Sequence, residues 1–224
     1  MRRFLQIMFV GFCIGLPTVA FMPSSGIAQT AAPATAPAAQ QTQQEQFIQD
    51  LGNKAIGIVA DKSLTQEQRT EQYRVLLHDA FDLKTIGRFV IGRAWNTATP
   101  AQQQEYMKLF EDLVVRIYGD RLNFYSGETF RVTGARPESA EDTVVHSEID
   151  HPDGTKPTTV DWRVRQSSGK NAIIDVMIEG VSQSVTQRQE YSAIIQRDGG
   201  KIDGLLELMR QRVQGTATAT PNPN

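Results

Sequence analysis

The chain has 224 residues, 40% of them hydrophobic and 21% charged, with a formal net charge of −2. That length suits one domain or a small pair, with enough apolar material for a sizeable core. A balance this near zero argues against a nucleic-acid partner, and a single cysteine, Cys13, excludes an internal disulfide or a thiolate zinc cluster.

Residues 1–28 read as a secretory signal. Arg2 and Arg3 precede an almost uncharged apolar run from Phe4 to Ala20, and Ser24-Ser25-Gly26-Ile27-Ala28 offers small residues before a cut ahead of Gln29. Gly11, Gly15 and Pro17 interrupt the run, which argues against an anchoring span. Cleavage there leaves 196 residues without Cys13, Arg2 and Arg3, so the charge falls from −2 to −4. Export with a cysteine-free product suits an oxidising compartment outside the cytoplasm. Residues 29–44, made of Ala, Pro, Gln and Thr, lack the large apolar side chains that folding requires and read as a flexible leader. The same reasoning makes residues 214–224 a disordered tail, leaving one folded domain over 45–213.

Within that domain the first half has helical periodicity. Phe47, Leu51, Ala55, Ile58 and Val59 mark one helix; Thr65 to Gln68 has the form of a capping box for a second, carrying Tyr73, Leu76, Leu77, Ala80 and Phe81. Asp82 is placed to cap a third with Leu83, Ile86, Phe89 and Val90, ended by Gly92. Thr99, Pro100 and Gln102 then open a long helix whose apolar stripe runs through Tyr106, Leu109, Phe110, Leu113, Val114, Ile117, Tyr118 and Leu122 towards Phe124.

The apolar period next becomes two. Phe130 and Val132 open a strand, Val145, Ser147 and Ile149 alternate with His146, Glu148 and Asp150, and His151-Pro152-Asp153-Gly154 is a turn. Val160, Trp162 and Val164 share a face opposite Asp161, Arg163 and Arg165; after a turn at Ser167–Gly169, Ala172, Ile174, Val176 and Ile178 continue the pattern. This is an antiparallel meander with one buried face. A helix over Ser184–Gln196, a break at Gly199-Gly200 and a final helix capped by Asp203, with Leu205, Leu206, Leu208 and Met209, complete an α+β chain.

The residues offer little catalytic chemistry. His78, His146 and His151 form no HxxxH pair, and no GxSxG, P-loop or dinucleotide fingerprint occurs. His146 and Glu148 on one strand face read as a solvated pair rather than metal ligands. Asp175, set among Ile173, Ile174, Val176 and Met177, is open to two readings: a carboxylate raised by desolvation, or one facing a cation such as Arg163 on the neighbouring strand. Tyr106, Tyr118 and Tyr125 read as packing residues or as polar groups of a pocket. Arg88 and Arg93 are candidates for docking, or solvated cations at a helix end.

Four segments in order carry a resemblance: FDLKTIGRFVIGRAWNTATPAQQQEYMKLFEDLVVRIYG (81–119), VDWRVR (160–165), DVMIEGVSQSVTQRQEYSAII (175–195) and DGLLELMR (203–210). Over about residues 47–212 the chain resembles the MlaC, or toluene-tolerance, family of periplasmic phospholipid carriers. TQRQEYSAIIQRDGG and YSGETFRVTGARP are similar to a hopanoid-associated branch. The resemblance implies a twisted antiparallel sheet (an NTF2-like half) with a helical part, enclosing an apolar pocket for acyl chains. It implies a lipid ligand, phospholipid or hopanoid, and no cofactor or catalytic residue. It also implies shuttling between an outer-membrane lipoprotein complex and an inner-membrane MCE-domain ABC transporter complex. The lipid wall it suggests comprises Ile86, Phe89, Val90, Leu109, Phe110, Leu113 and Ile117 from helices, with Trp162, Val164, Val176, Ile178 and Val181 from the sheet side. A small NTF2-like enzyme acting through Asp175, and an adaptor that holds no lipid, are the rival readings.

Overall fold

The computed structural model describes residues 38–122 and 125–215. The expected signal segment, most of the expected leader, Phe124 and nearly all of the expected tail lie outside the described residues. Helix α1 (Ala38–Ala60) begins inside the stretch expected to be leader, and Gln44, expected to end that leader, is buried. Ala and Gln are good helix formers, so a stretch too polar to make a core still extends a helix anchored further along.

Helix α2 (Gln66–Ala80) opens on the expected capping box: the Thr65 hydroxyl accepts from the Gln68 N–H at 3.2 Å, and the Gln68 side chain accepts from the Thr65 N–H at 2.8 Å. Asp82 starts α3 (Leu83–Ile91) by accepting from the Thr85 N–H at 2.9 Å, and Gly92 ends it at a positive φ of 61°, which favours glycine. A four-residue helix, α4 (Ala94–Thr97), follows and has no counterpart in the sequence reading. Thr99 and Gln102 then form the second reciprocal cap, at the head of α5 (Pro100–Leu122).

Strands β1 (Thr129–Pro137), β2 (Asp142–Asp150), β3 (Thr158–Ser167), β4 (Lys170–Ile178) and β5 (Val181–Ser182) form one antiparallel sheet in sequence order. The last two hairpins turn through Ser168-Gly169 and Glu179-Gly180, all four residues at positive φ, which matches the right-handed strand twist. Val145, Trp162 and Val176 face one another across three strands. The Ser147 hydroxyl accepts from the Trp162 indole N–H at 2.9 Å and donates to the Val160 carbonyl at 2.7 Å. The opposite face carries ion pairs: Arg131 with Glu148 and Asp150, His146 with Asp161, Arg163 with Glu138, Arg165 with Asp142.

One strand departs from simple alternation. A bulge between Arg163 and Val164 shifts the register on β4, so Ile173, rather than Ile174, is fully buried opposite Val164. Helices α6 (Gln183–Arg197) and α7 (Asp203–Gln214) follow the sheet. Ser182 caps α6 through the Val185 N–H at 3.1 Å. Asp203 does not cap α7 but is its first residue; the Gly204 N–H is taken at 2.9 Å by Asp198, while Asp203 accepts from the Gln102 side chain.

The interior has two apolar clusters. In the helical one, Val90 and Ile91 of α3, Tyr106, Leu109, Phe110 and Leu113 of α5, and Tyr191 and Ile195 of α6 pack with Leu205, Leu206 and Met209 of α7. In the other, Ile48 and Leu51 of α1 and Ala80 of α2 lie against Val145, Val164 and Ile173 of the sheet.

Candidate functional site

Between α1 and α2 lies a groove of about 580 Å³. Its apolar lining comes from Phe47, Leu51 and Ile58 of α1, Val75, Leu76 and Ala80 of α2, and Leu64 between them. Phe47, Leu51, Leu76 and Ala80 also belong to the sheet-side cluster, so the groove floor is backed directly by the sheet. Gly57 lines the groove and has open space where a side chain would start.

The rim is polar. Asp50, Lys54, Asp61, Gln72 and Asp79 surround the apolar floor. Asp61 is fixed by the Ser63 hydroxyl at 2.6 Å and the Ser63 N–H at 2.8 Å, and those bonds hold its carboxyl below the usual carboxylate range. Arg69 closes the loop between the helices by donating to the carbonyls of Leu64, at 3.0 Å, and Asp61, at 3.3 Å. An apolar trough with a charged lip is the arrangement an amphiphile requires: tails on the floor, polar head at the rim.

The lipid-wall residues expected from the sequence divide between three environments. Trp162, Val164 and Val176 pack in the sheet-side cluster that backs this groove. Ile86, Val90, Leu109, Phe110 and Leu113 pack in the helical cluster, where Tyr106 stacks on Phe110 and meets Tyr191 edge-on. Phe89, Ile117 and Val181 are exposed, and Ile178 is half-buried opposite Val181 at the sheet edge. Of the groove's lining, the sequence reads Phe47, Leu51, Ile58, Leu76 and Ala80 only as helix stripe and does not single out Leu64 or Val75; the available signal is Gly57, a residue without a side chain inside the α1 stripe.

Asp175, His146, Glu148 and Tyr106 have structural partners, while the side chain of Tyr118 lies outside the described residues. Asp175 is buried and accepts from the Ser182 hydroxyl at 2.6 Å, the Val176 N–H at 2.9 Å and the Ser184 N–H at 3.2 Å. It thus fixes the entry to α6, although it stands in register with Arg163, whose guanidinium pairs with Glu138. His146 is 2.8 Å from Asp161, and Glu148 is taken by Arg131. Tyr106 donates to the Gly87 carbonyl at 2.9 Å, and burial pushes its hydroxyl pKa far above the ordinary phenol value. Among the described residues no group of three or more His, Cys, Asp or Glu is arranged to hold a metal.

Comparison with known proteins bears on this arrangement. A family model described as MlaC protein matches residues 49–211. The chain belongs to the MlaC family. A solved structure similar to it is that of the phospholipid-binding protein from Ralstonia solanacearum in complex with a phospholipid. It superposes with a TM-score of 0.69 at 23% identity, covering 78% of this chain and 98% of that one. At that identity the likeness concerns the fold, and it agrees with the α+β arrangement of sheet and helices described above. No helix of this MlaC-family chain, among the described residues, is long and apolar enough to cross a membrane.

Proposed function

We propose that this MlaC-family chain is a periplasmic lipid carrier that binds phospholipid and catalyses no reaction. The observation that carries the reading is the α1–α2 groove, whose apolar floor is continuous with the sheet-side cluster and whose rim is charged. Family membership and the fold shared with a phospholipid-binding protein support it. In this reading, acyl chains lie on Leu51, Leu76 and Ala80, with Trp162, Val164 and Val176 behind them, and the headgroup meets Lys54 and the rim carboxylates.

Energetics set how such a carrier must work. At about 0.8 kcal/mol per methylene, two chains of about 15 methylenes are worth about 24 kcal/mol out of water. That exceeds the ceiling of noncovalent affinity, so cargo leaves only into another apolar path offered by a docked partner. An inner-membrane MCE-domain ABC transporter and an outer-membrane lipoprotein complex are the partners this reading requires.

Native mass spectrometry of the full chain purified from producing cells tests it. Phospholipid should co-purify, and delipidated protein should reload from vesicles. Ile58→Asp, which puts a charge on the groove wall, should lower lipid occupancy about ten-fold or more with thermal stability nearly unchanged. A hopanoid in place of phospholipid would keep the carrier and change its cargo. No lipid before or after reloading would overturn the reading.

A further inference from the structure

A second concavity, of about 510 Å³, lies between α3 and α6, away from the α1–α2 groove. Phe89 of α3 and Val185 and Ala193 of α6 form its apolar wall, with Arg188, Gln189 and Gln196 alongside. Phe89 is 41% and Val185 42% exposed, and Val181, on the strand leading into α6, is 42% exposed. Two of the five large apolar side chains exposed among the described residues, Phe89 and Val185, therefore meet in this trough.

The charge here runs against that of the whole chain. Helix α3 carries Lys84 and Arg88 and no acid; α6 carries Arg188 and Arg197, and its one acid, Glu190, is engaged by Arg212 at 2.8 Å. Arg188 is held in place without a carboxylate: it donates to the Phe89 carbonyl at 3.1 Å and lies 4.8 Å from the centre of the Phe89 ring. Arg88 similarly lies over Trp95, at 5.2 Å. One cation, Arg188, is thus pre-positioned on an aromatic ring in the wall of an apolar trough, in a protein of net charge −2.

We propose that the α3–α6 trough is a docking site for an acidic segment of a partner protein, one that sets an apolar anchor against Phe89 and Val185 and a carboxylate against Arg188. Charge complementarity selects the sign of the partner, and the fixed Arg188 lowers the ordering cost of the encounter. Concavity selects its class. An anionic bilayer takes up apolar groups that project from a surface, whereas a trough between two helices buries a side chain that the partner projects. The proposal does not depend on what the α1–α2 groove holds.

A photo-cross-linking residue placed at Gln196 in the full chain, irradiated in intact cells, tests it, with the adduct sequenced by mass spectrometry. The expected adduct is a protein segment rich in Asp and Glu with a large apolar residue. Gln189→Glu should lower its yield about ten-fold and Gln189→Lys should preserve or raise it. Both substitutions suit an exposed helical position, and thermal unfolding of each identifies any loss of fold. An adduct to lipid, to a second copy of this chain or to a basic segment, no adduct at all, or equal response to the two substitutions would overturn the proposal.

Discussion

Gly52 and Gly57 lie five residues apart on α1 and meet opposite surroundings. A methyl at Gly52 would overlap the Phe130 ring of β1, so this glycine is what lets the helix approach the sheet. A methyl at Gly57 would meet nothing within 4 Å. Gly52→Ala should therefore destabilise by about 1–3 kcal/mol through overpacking, despite the better helix propensity of alanine. Gly57→Ala should stabilise by up to about 1 kcal/mol. Thermal or urea unfolding of the pair reads both signs. Leu113 permits a related test, because it is 4% exposed within the helical cluster. Leu113→Trp should lower stability by about 1–3 kcal/mol and leave the lipid content of the remaining folded protein unchanged. Lipid loss at unaltered stability would instead make Leu113 part of a ligand wall. Periodicity marked both Leu113 and Ile58 as inward-facing, but it records only that a side chain avoids water. Whether the neighbour is another side chain or a groove depends on tertiary distance, to which no local pattern responds.

Helices α2 and α5 are joined through charge. Arg74 donates to Glu111 at 2.9 Å and to Asp112 at 3.1 Å, His78 lies 2.9 Å from Glu111, and Lys108 reaches Asp112 at 2.8 Å. Burial opposes ionisation of Asp112, yet Lys108 and Arg74 outweigh it and hold the carboxyl below its ordinary value. Because the folded pKa is the lower one, the linked stability is complete above about pH 4 and is lost as pH falls through the folded value. Unfolding followed from pH 6 downward should show wild type losing stability below about pH 4, with a shallower dependence in Asp112→Asn. Equal slopes would remove Asp112 from the linkage. Elements of this kind differ in how plainly they announce themselves. The caps at Thr65, Asp82 and Thr99 are written locally, as a hydroxyl or carboxylate followed by the N–H groups it accepts. By contrast, α4 is four residues long, opens without a side-chain cap and ends where the chain turns towards α5, so nothing in Ala94–Thr97 distinguishes it from a loop.

The molecule as a whole combines a sheet-side cluster covered by α1 and α2 with a helical cluster built from α3, α5, α6 and α7. The α+β class followed from the change of apolar period after α5, which is a global feature of the chain. The division of the interior did not, since the helical and strand residues expected to share one cavity wall mostly occupy different clusters. Only Trp162, Val164 and Val176 reach the side on which the α1–α2 groove lies.

The margins of the sheet have a further consequence. On β1, the Gln49 side chain accepts from the Val132 N–H at 3.0 Å and donates to the Phe130 carbonyl at 3.5 Å, in the manner of an added strand. On β4, β5 pairs with Met177 and Ile178, while the Asp82 N–H donates to the Ile173 carbonyl at 2.9 Å. Polar groups that would otherwise recruit a second chain are engaged at both margins by the protein itself. In the proposed carrier role, the empty chain would keep these margins closed through its own contacts, whatever cargo it holds.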